Sequence, residues 1–160
     1  MIKILGVDPG LACTGWGIIS KEGNALKYVA SGVIKTNVEE KIELRLNFVF
    51  NRLTEIITQY QPMSVALEET FVNVNSQSSL KLAHVRGAII VAFAQHNLSV
   101  SQYAPNLVKK SVVGFGRAEK NQMIHMVNLL LPGSGVKLSD EADALAVAIC
   151  HAGHLVYARR

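Results

Sequence analysis

Three short apolar segments joined by turn residues occupy the first 35 residues of the chain. Ile2 to Val7 runs into Asp-Pro-Gly, Thr14 to Ser20 follows, and Leu26 to Lys35 comes after a Lys-Glu-Gly-Asn turn. Segments of this length separated by turn residues predict strands that pair as an antiparallel meander. In the second segment, Gly15 and Gly17 indicate the close approach of another backbone.

Helices and strands alternate through the rest of the chain. Helical spacing of apolar residues or short buried runs predict, in order, a helix over Val38–Tyr60, a strand over Ser64–Leu67, a helix over Ser76–His96, a strand over Leu98–Tyr103, and helices over Ala118–Leu131 and Ser139–Tyr157, the last with Ser139 as N-cap. Whether 105–113 forms a short helix, and where the third strand ends, stay open. The order predicts an α/β fold, with a mixed five-stranded sheet flanked by helices.

Composition indicates one folded domain over residues 1–160. The chain is 49% hydrophobic and 18% charged, which excludes a disordered chain. A carboxylate at Asp8 interrupts the first apolar run too early for a signal peptide, and no apolar run is long enough to span a membrane. Because Cys13 and Cys150 have no metal-ligand spacing, we expect reduced thiols in a cytoplasmic protein.

The segment Ala88 to Ala94 is apolar around its whole circumference, so two of its sides must be covered. One candidate for the second cover is the last helix of the same chain, and the other is a second subunit. Small residues at Gly87, Ala88 and Ala92 favour a homodimer, because they allow two helices to approach closely.

Four carboxylates follow strands or open a helix. Asp8 and Glu68 come after two apolar strands, and Asp140 and Asp143 lie one turn apart at the start of the last helix. Each residue has a plainer interpretation, as a turn residue, a strand terminus or a helix-start charge. In an open α/β sheet, however, strand ends and nearby helix starts form the usual site crevice.

Carboxylates crowded into one crevice repel each other unless cations occupy it. Oxygen ligands without a His or Cys cluster favour Mg²⁺, with Mn²⁺ as a substitute. Two such ions about 3.5–4 Å apart can clamp a phosphate for hydrolysis. The four carboxylates therefore predict a site for two ions.

The net charge of +4 is weak evidence for a polyanionic partner. Four cationic residues cluster late in the chain, and two more end it: Lys109, Lys110, Arg117, Lys120, Arg159 and Arg160. A DNA contact and a solvated face explain these charges equally well.

Five sequence blocks in order resemble the RuvC family of Holliday junction resolvases. They are Gly6-Val7-Asp8-Pro9-Gly10 with Thr14-Gly15-Trp16-Gly17, then Ala66-Leu67-Glu68-Glu69-Thr70-Phe71, then Ala83-His84-Val85-Arg86-Gly87, then Tyr103-Ala104-Pro105 through Ala118-Glu119-Lys120, and finally Asp140-Glu141-Ala142-Asp143-Ala144-Leu145-Ala146. The similarity covers nearly the whole chain and implies an RNase H-like fold.

The resemblance also implies functions for individual residues. Asp8, Glu68, Asp140 and Asp143 would form the metal-binding catalytic tetrad, Lys109 and Lys120 would contact DNA, and Phe71 would insert near the opened crossover of a four-way junction. A homodimer would make paired nicks in strands of like polarity, together with a branch-migration helicase complex of the RuvA and RuvB type. Glu69 is not assigned as a ligand.

Three other functions are compatible with the same fold class. Sugar-kinase and actin-like ATPases need a second phosphate motif and a second lobe, which this sequence lacks. A non-catalytic nucleic-acid-binding module would be expected to have lost part of the tetrad. Another RNase H-like nuclease, such as an RNase H or a transposase, is the closest alternative, and cleavage of RNA–DNA hybrids would distinguish it.

Overall fold

The computed structural model describes residues 1–70 and 76–155 and has a five-stranded mixed sheet. The elements in chain order are β1 (Ile2–Asp8), β2 (Cys13–Glu22), β3 (Ala25–Lys35), α1 (Ile42–Tyr60), β4 (Ser64–Glu68), α2 (Ser76–Gln95), β5 (Val100–Tyr103), α3 (Pro105–Val113), α4 (Lys120–Leu130) and α5 (Ser139–His154). The strand order is β3-β2-β1-β4-β5. The first three strands pair antiparallel, and β1–β4 and β4–β5 pair parallel. This architecture confirms the predicted fold class.

The sheet separates two apolar cores, because alternate side chains of each strand point to opposite faces. Ile4 and Ala66 belong to the core that α3, α4 and α5 complete. Leu5 and Leu67 belong to the other core, which α1 and α2 complete. No helix in the described ranges is long and apolar enough to cross a membrane.

Helix α5 lies directly against the central strands because glycines face it. A Cβ built on Gly6 would lie 2.2 Å from the carbonyl oxygen of Ala144, and one on Gly17 would lie 2.6 Å from the Leu145 side chain. Gly6 and Gly17 pair with each other across β1 and β2. The close approach predicted at Gly15 and Gly17 is therefore confirmed, and α5 is the element that approaches.

The predicted start of the first helix and the predicted N-cap of the last helix were wrong, although the last helix does begin at Ser139 as predicted. Helix α1 begins at Ile42, not Val38, since the Asn37 side chain accepts a hydrogen bond from the Glu39 amide at 3.1 Å and forms a turn there. Ser139 is not the N-cap of α5; Leu138 occupies that position, and Ser139 is the first helical residue.

The remaining boundaries moved by smaller amounts or lie partly outside the described residues. Helix α4 begins at Lys120, not Ala118, because Glu119 and Gln122 form a capping box. Helix α5 ends at His154, and the predicted end at Tyr157 lies outside the described residues. The two open points are settled: 105–113 forms α3, and the third strand ends at Lys35.

Only one side of α2 packs against the rest of the chain. Val85, Ile89, Ala92 and Phe93 are buried in the core shared with α1 and the sheet. Because α5 contributes to the core on the opposite face of the sheet, it does not cover the outer side of α2, and that alternative was wrong. Val91 is 51% exposed there. Ala92 is buried and cannot contribute to a helix contact on that side.

Candidate active site

Asp8 and Glu68 are the last residues of two neighbouring parallel strands, β1 and β4. Val7 pairs with Leu67, so the next residues along each strand lie side by side, with neighbouring strands about 4.8 Å apart. Both side chains project to the α5 face, since they share the parity of Ile4 and Ala66. The two carboxyl groups form a hydrogen bond with each other.

The first turn of α5 brings the other two carboxylates to this strand end. Asp8 pairs with Gly15 of β2, and the carbonyl oxygen of Asp140 would lie 2.0 Å from a Cβ built on Gly15. Both Asp140 and Asp143 interact electrostatically with Asp8. The structure therefore gathers all four predicted carboxylates at one edge of the sheet.

Burial and mutual repulsion hold protons in this cluster. Burial, followed by the charges of Glu68, Asp143 and Asp140, raises the pKa of Asp8 to about 9. Burial, then Glu68 and Asp140, raises the pKa of Asp143 to about 6. Burial also raises the pKa of Glu68. At neutral pH the four groups therefore do not all carry a charge, and Asp8 and Glu68 share a proton.

The donor set matches a hard divalent cation. All four groups supply carboxylate oxygens, and a cation would favour the charged forms that burial now disfavours. Among residues 1–70 and 76–155, no three His, Cys, Asp or Glu side chains converge on a single ion position.

The two predicted lysines flank the cluster on neighbouring helices. Lys109 of α3 lowers the pKa of both Glu68 and Asp143, and Lys120, the first residue of α4, lowers that of Asp143. Lys110 and Arg117 are exposed to solvent. The structure thus places cationic side chains at the edge of an acidic site. Phe71 lies outside the described residues.

Several polar interactions at the site and along α5 were not predicted from sequence. Burial, followed by the Asp140 carboxylate, raises the pKa of the Cys13 thiol. Ser64 Oγ and Tyr103 Oη lie 2.6 Å and 2.7 Å from the two ring nitrogens of buried His151, which links β4 and β5 to α5. No sequence signal marks these contacts, because each joins elements that are far apart in the chain.

Arg86 makes a further contact that sequence reasoning missed. The side chain reaches from α2 to the main-chain carbonyl of Glu68 and to the Gln102 side chain. The sequence marked Arg86 only as part of a motif on the predicted dimer helix. Its contacts place it under the end of β4.

Known proteins resemble this chain over nearly its full length. The family model described as "Crossover junction endodeoxyribonuclease RuvC" matches residues 4–151, which include all four carboxylates. The crossover junction endodeoxyribonuclease RuvC of Rickettsia felis is 51% identical over 150 residues, covering 92% of this chain and 96% of that protein. Its counterpart in Sphingopyxis alaskensis is 50% identical over 151 residues, covering 94% and 97%.

Solved structures agree with this relationship. T. thermophilus RuvC, in complex with a Holliday junction substrate, is 29% identical and superposes with a TM-score of 0.89, covering 96% of this chain and 94% of that one. The yeast mitochondrial Holliday junction resolvase Ydc2 shares the fold at 12% identity, with a TM-score of 0.69 and coverage of 93% and 77%. With 51% identity to a relative over 92% of its length and a family match across 4–151, this chain belongs to the RuvC family of crossover junction endodeoxyribonucleases.

Proposed function

We propose that this chain resolves four-way DNA junctions by metal-dependent phosphodiester hydrolysis, with Asp8, Glu68, Asp140 and Asp143 as the metal-binding catalytic residues. The observation that carries the proposal is the convergence of these carboxylates at the ends of β1 and β4 and the start of α5, in a chain of the RuvC family. The family consists of metal-dependent nucleases. The junction substrate follows from the relatives' activity and from the complex of T. thermophilus RuvC.

The carboxylates would hold two Mg²⁺ ions, for which Mn²⁺ could substitute. Such ions supply charge stabilisation for the scissile phosphate and lower the pKa of the attacking water. For this the chain must release the proton that Asp8 and Glu68 share, so that both present charged oxygens. Asp143, in the first two turns of α5, ionises more easily than Asp8, because its pKa is raised only to about 6 whereas that of Asp8 is raised to about 9.

The cationic side chains at the edge would attract and place the DNA backbone. Lys109 and Lys120 each act on the carboxylate cluster, so a phosphate at the metal site would also be within their electrostatic reach. Phe71 follows Glu68 by three residues, and we propose that it inserts near the opened crossover; only its place in the chain supports this. The single domain over 1–160 would then carry both cleavage and junction recognition.

A homodimer through the outer side of α2 would give one active site to each of the two strands that must be cut. Support comes from the exposed apolar residues there, Leu80, Ile90 and Val91. We further propose cytoplasmic function with a branch-migration helicase complex of the RuvA and RuvB type. Two sites related by a twofold axis would cut strands of like polarity.

Conservative amide substitutions test the site assignment. Asp8→Asn, Glu68→Gln, Asp140→Asn and Asp143→Asn should each abolish cleavage of a four-way junction in Mg²⁺, while binding to the junction is retained, because a lost negative charge does not weaken attraction to phosphate. Glu141→Gln is the matched control, since it lies on the same turn of α5 but is not among the groups that perturb Asp8 or Asp143.

Two outcomes would contradict the proposal. Near-normal cleavage by the Asp8→Asn protein would remove the assigned site. Equal or faster hydrolysis of an RNA–DNA hybrid by the unaltered protein, at the same Mg²⁺ concentration, would identify a different RNase H-like nuclease.

A further inference from the structure

The guanidinium group of Arg86 connects α2 to the ends of two strands. One terminal nitrogen, Nη1, donates to the main-chain carbonyl oxygen of Glu68, and the other, Nη2, donates to Oε1 of Gln102. Gln102 is the β5 residue that pairs with Leu67, directly before Glu68. A single planar group therefore joins the last residue of β4 to the neighbouring strand β5.

The guanidinium group of Arg86 also interacts electrostatically with the carboxylates of Glu69 and Glu68. A residue that fixes the main chain of a carboxylate ligand affects how readily that ligand binds a cation.

Support for Glu68 is separate from support for the α5 carboxylates. Asp140 and Asp143 are held by the packing of α5 on the glycines of β1 and β2. Glu68 is held from the opposite side of the sheet, since α2 belongs to the other core. Loss of the Arg86 contacts would therefore disturb Glu68 and leave the two carboxylates on α5 in place.

We propose that Arg86 is a positioning residue for Glu68 and thereby sets the affinity of the site for its divalent cation. The inference rests on the proposed function, because it takes Glu68 as a metal ligand. It assigns no contact between Arg86 and the substrate.

Binding of Mn²⁺ to the full chain without DNA, measured by titration calorimetry, tests the proposal independently of cleavage. Arg86→Gln should weaken Mn²⁺ binding by tenfold to 100-fold, which is the usual effect of removing a residue that orients a ligand. Arg86→Lys should fall between this variant and the wild type, because an ammonium keeps the charge but cannot donate to both acceptors in the fork geometry. Lys81→Gln, which removes an exposed charge from the same helix, should bind Mn²⁺ normally.

Cleavage assays add a second readout. The Arg86→Gln protein should need a tenfold or higher Mn²⁺ concentration for half-maximal junction cleavage, and it should approach the wild-type rate at saturating Mn²⁺. Binding to the junction in Ca²⁺ should match that of the wild type. A purely structural role would lower the unfolding temperature without changing the Mn²⁺ dependence.

Specific outcomes overturn the inference. Unchanged Mn²⁺ affinity in Arg86→Gln does so, and so does an equal loss in Lys81→Gln. If Arg86→Gln does not fold, Gln102→Leu decides the matter, because it removes only one anchor of the guanidinium from an exposed position; unchanged Mn²⁺ affinity there also overturns the inference. Glu68→Gln separates the two levels: normal Mn²⁺ binding in that protein contradicts the proposed function itself.

Discussion

Gly15 offers the sharpest test of how the fold builds the site. It lies in β2 opposite Asp8, and the first turn of α5 passes directly over it. A Cβ at this position would lie 2.0 Å from the carbonyl oxygen of Asp140 and 2.7 Å from its carbonyl carbon, whereas ordinary contact begins at 3.4 Å. To relieve this contact in Gly15→Ala, the carbonyl oxygen of Asp140 must move from 2.0 Å to 3.4 Å from the new Cβ, so the start of α5 must move away by about 1.4 Å.

Displacement of this size should affect cleavage more than folding. Overpacking of this kind costs about 1–3 kcal/mol of stability, which a folded domain can tolerate. A misplacement of about 1 Å at a catalytic centre can cost about 100-fold in rate. We therefore expect Gly15→Ala to lower the single-turnover rate of junction cleavage by roughly 100-fold or more. Junction binding should change little, because the lysines that face the cluster lie on α3 and α4.

Two other glycines provide controls for this experiment. Gly153→Ala, also at α5, meets no atom within 4 Å and should cleave at the wild-type rate. Gly17→Ala meets the Leu145 side chain at 2.6 Å, farther along α5, and should lower the unfolding temperature with a smaller effect on the cleavage rate. A Gly15→Ala protein that cleaves within about threefold of the wild type, a difference below 1 kcal/mol, would refute the reasoning.

Other predictions follow from the same geometry. In chelator-treated protein the unfolding temperature should fall as pH rises from about 4 towards 9, because Asp8 keeps its proton in the folded state up to about pH 9 but releases it near 3.8 when unfolded. Asp8→Asn should flatten this decline, and parallel curves of unfolding temperature against pH for the two proteins would contradict the assignment. Lys109→Ala and Lys120→Ala should weaken junction binding at every sequence alike and reduce the log–log salt slope by roughly one unit each, so an unchanged slope in both would place these lysines away from DNA. Ile90→Asp should give a folded monomer in sedimentation and lose paired nicking, whereas Phe93→Asp, at a fully buried position, should not fold; a monomeric wild type with intact paired nicking would count against the dimer.

Element type could be predicted from the sequence because each pattern reports a local property. The three leading strands, the alternation that follows and the two-sided helix arrangement all come from periodicity and turn residues. The starts of α1 and α4 could not, since side-chain contacts with backbone amides decide them. At Asn37 the side chain competes for the Glu39 amide and delays α1 by four residues.

The sequence predicted that Asp8 and Glu68 follow strands, but their meeting depended on which strands become neighbours in the sheet. Asp8 and Glu68 meet only because β1 and β4 pair in parallel, and 60 residues separate them in the chain. No local pattern states which strands become neighbours. The contacts of Arg86 with Glu68 and of Cys13 with Asp140 depend on the same long-range arrangement, so they became visible only in the structure.

Sequence alone also could not separate the two sides of α2. Its central residues are apolar all round, so periodicity carries no information on which side meets the core. The structure buries Phe93 completely and leaves Ile90 37% exposed, although both look equally suited to a core from their composition. Because of this difference in burial, Ile90→Asp and Phe93→Asp are expected to have opposite effects on folding.

The glycines of β1 and β2, together with Asp8, determine where the site lies. Gly6 pairs with Gly17, and two residues farther along Asp8 pairs with Gly15, so on the α5 side of these two residue pairs the only Cβ is that of Asp8. Helix α5 can then lie against the strands, with its first turn at the one position where a side chain remains. Larger side chains at these glycines would lift α5 and separate Asp140 from Asp8. The glycine spacing therefore determines how close the helix-borne carboxylates come to the strand-borne ones.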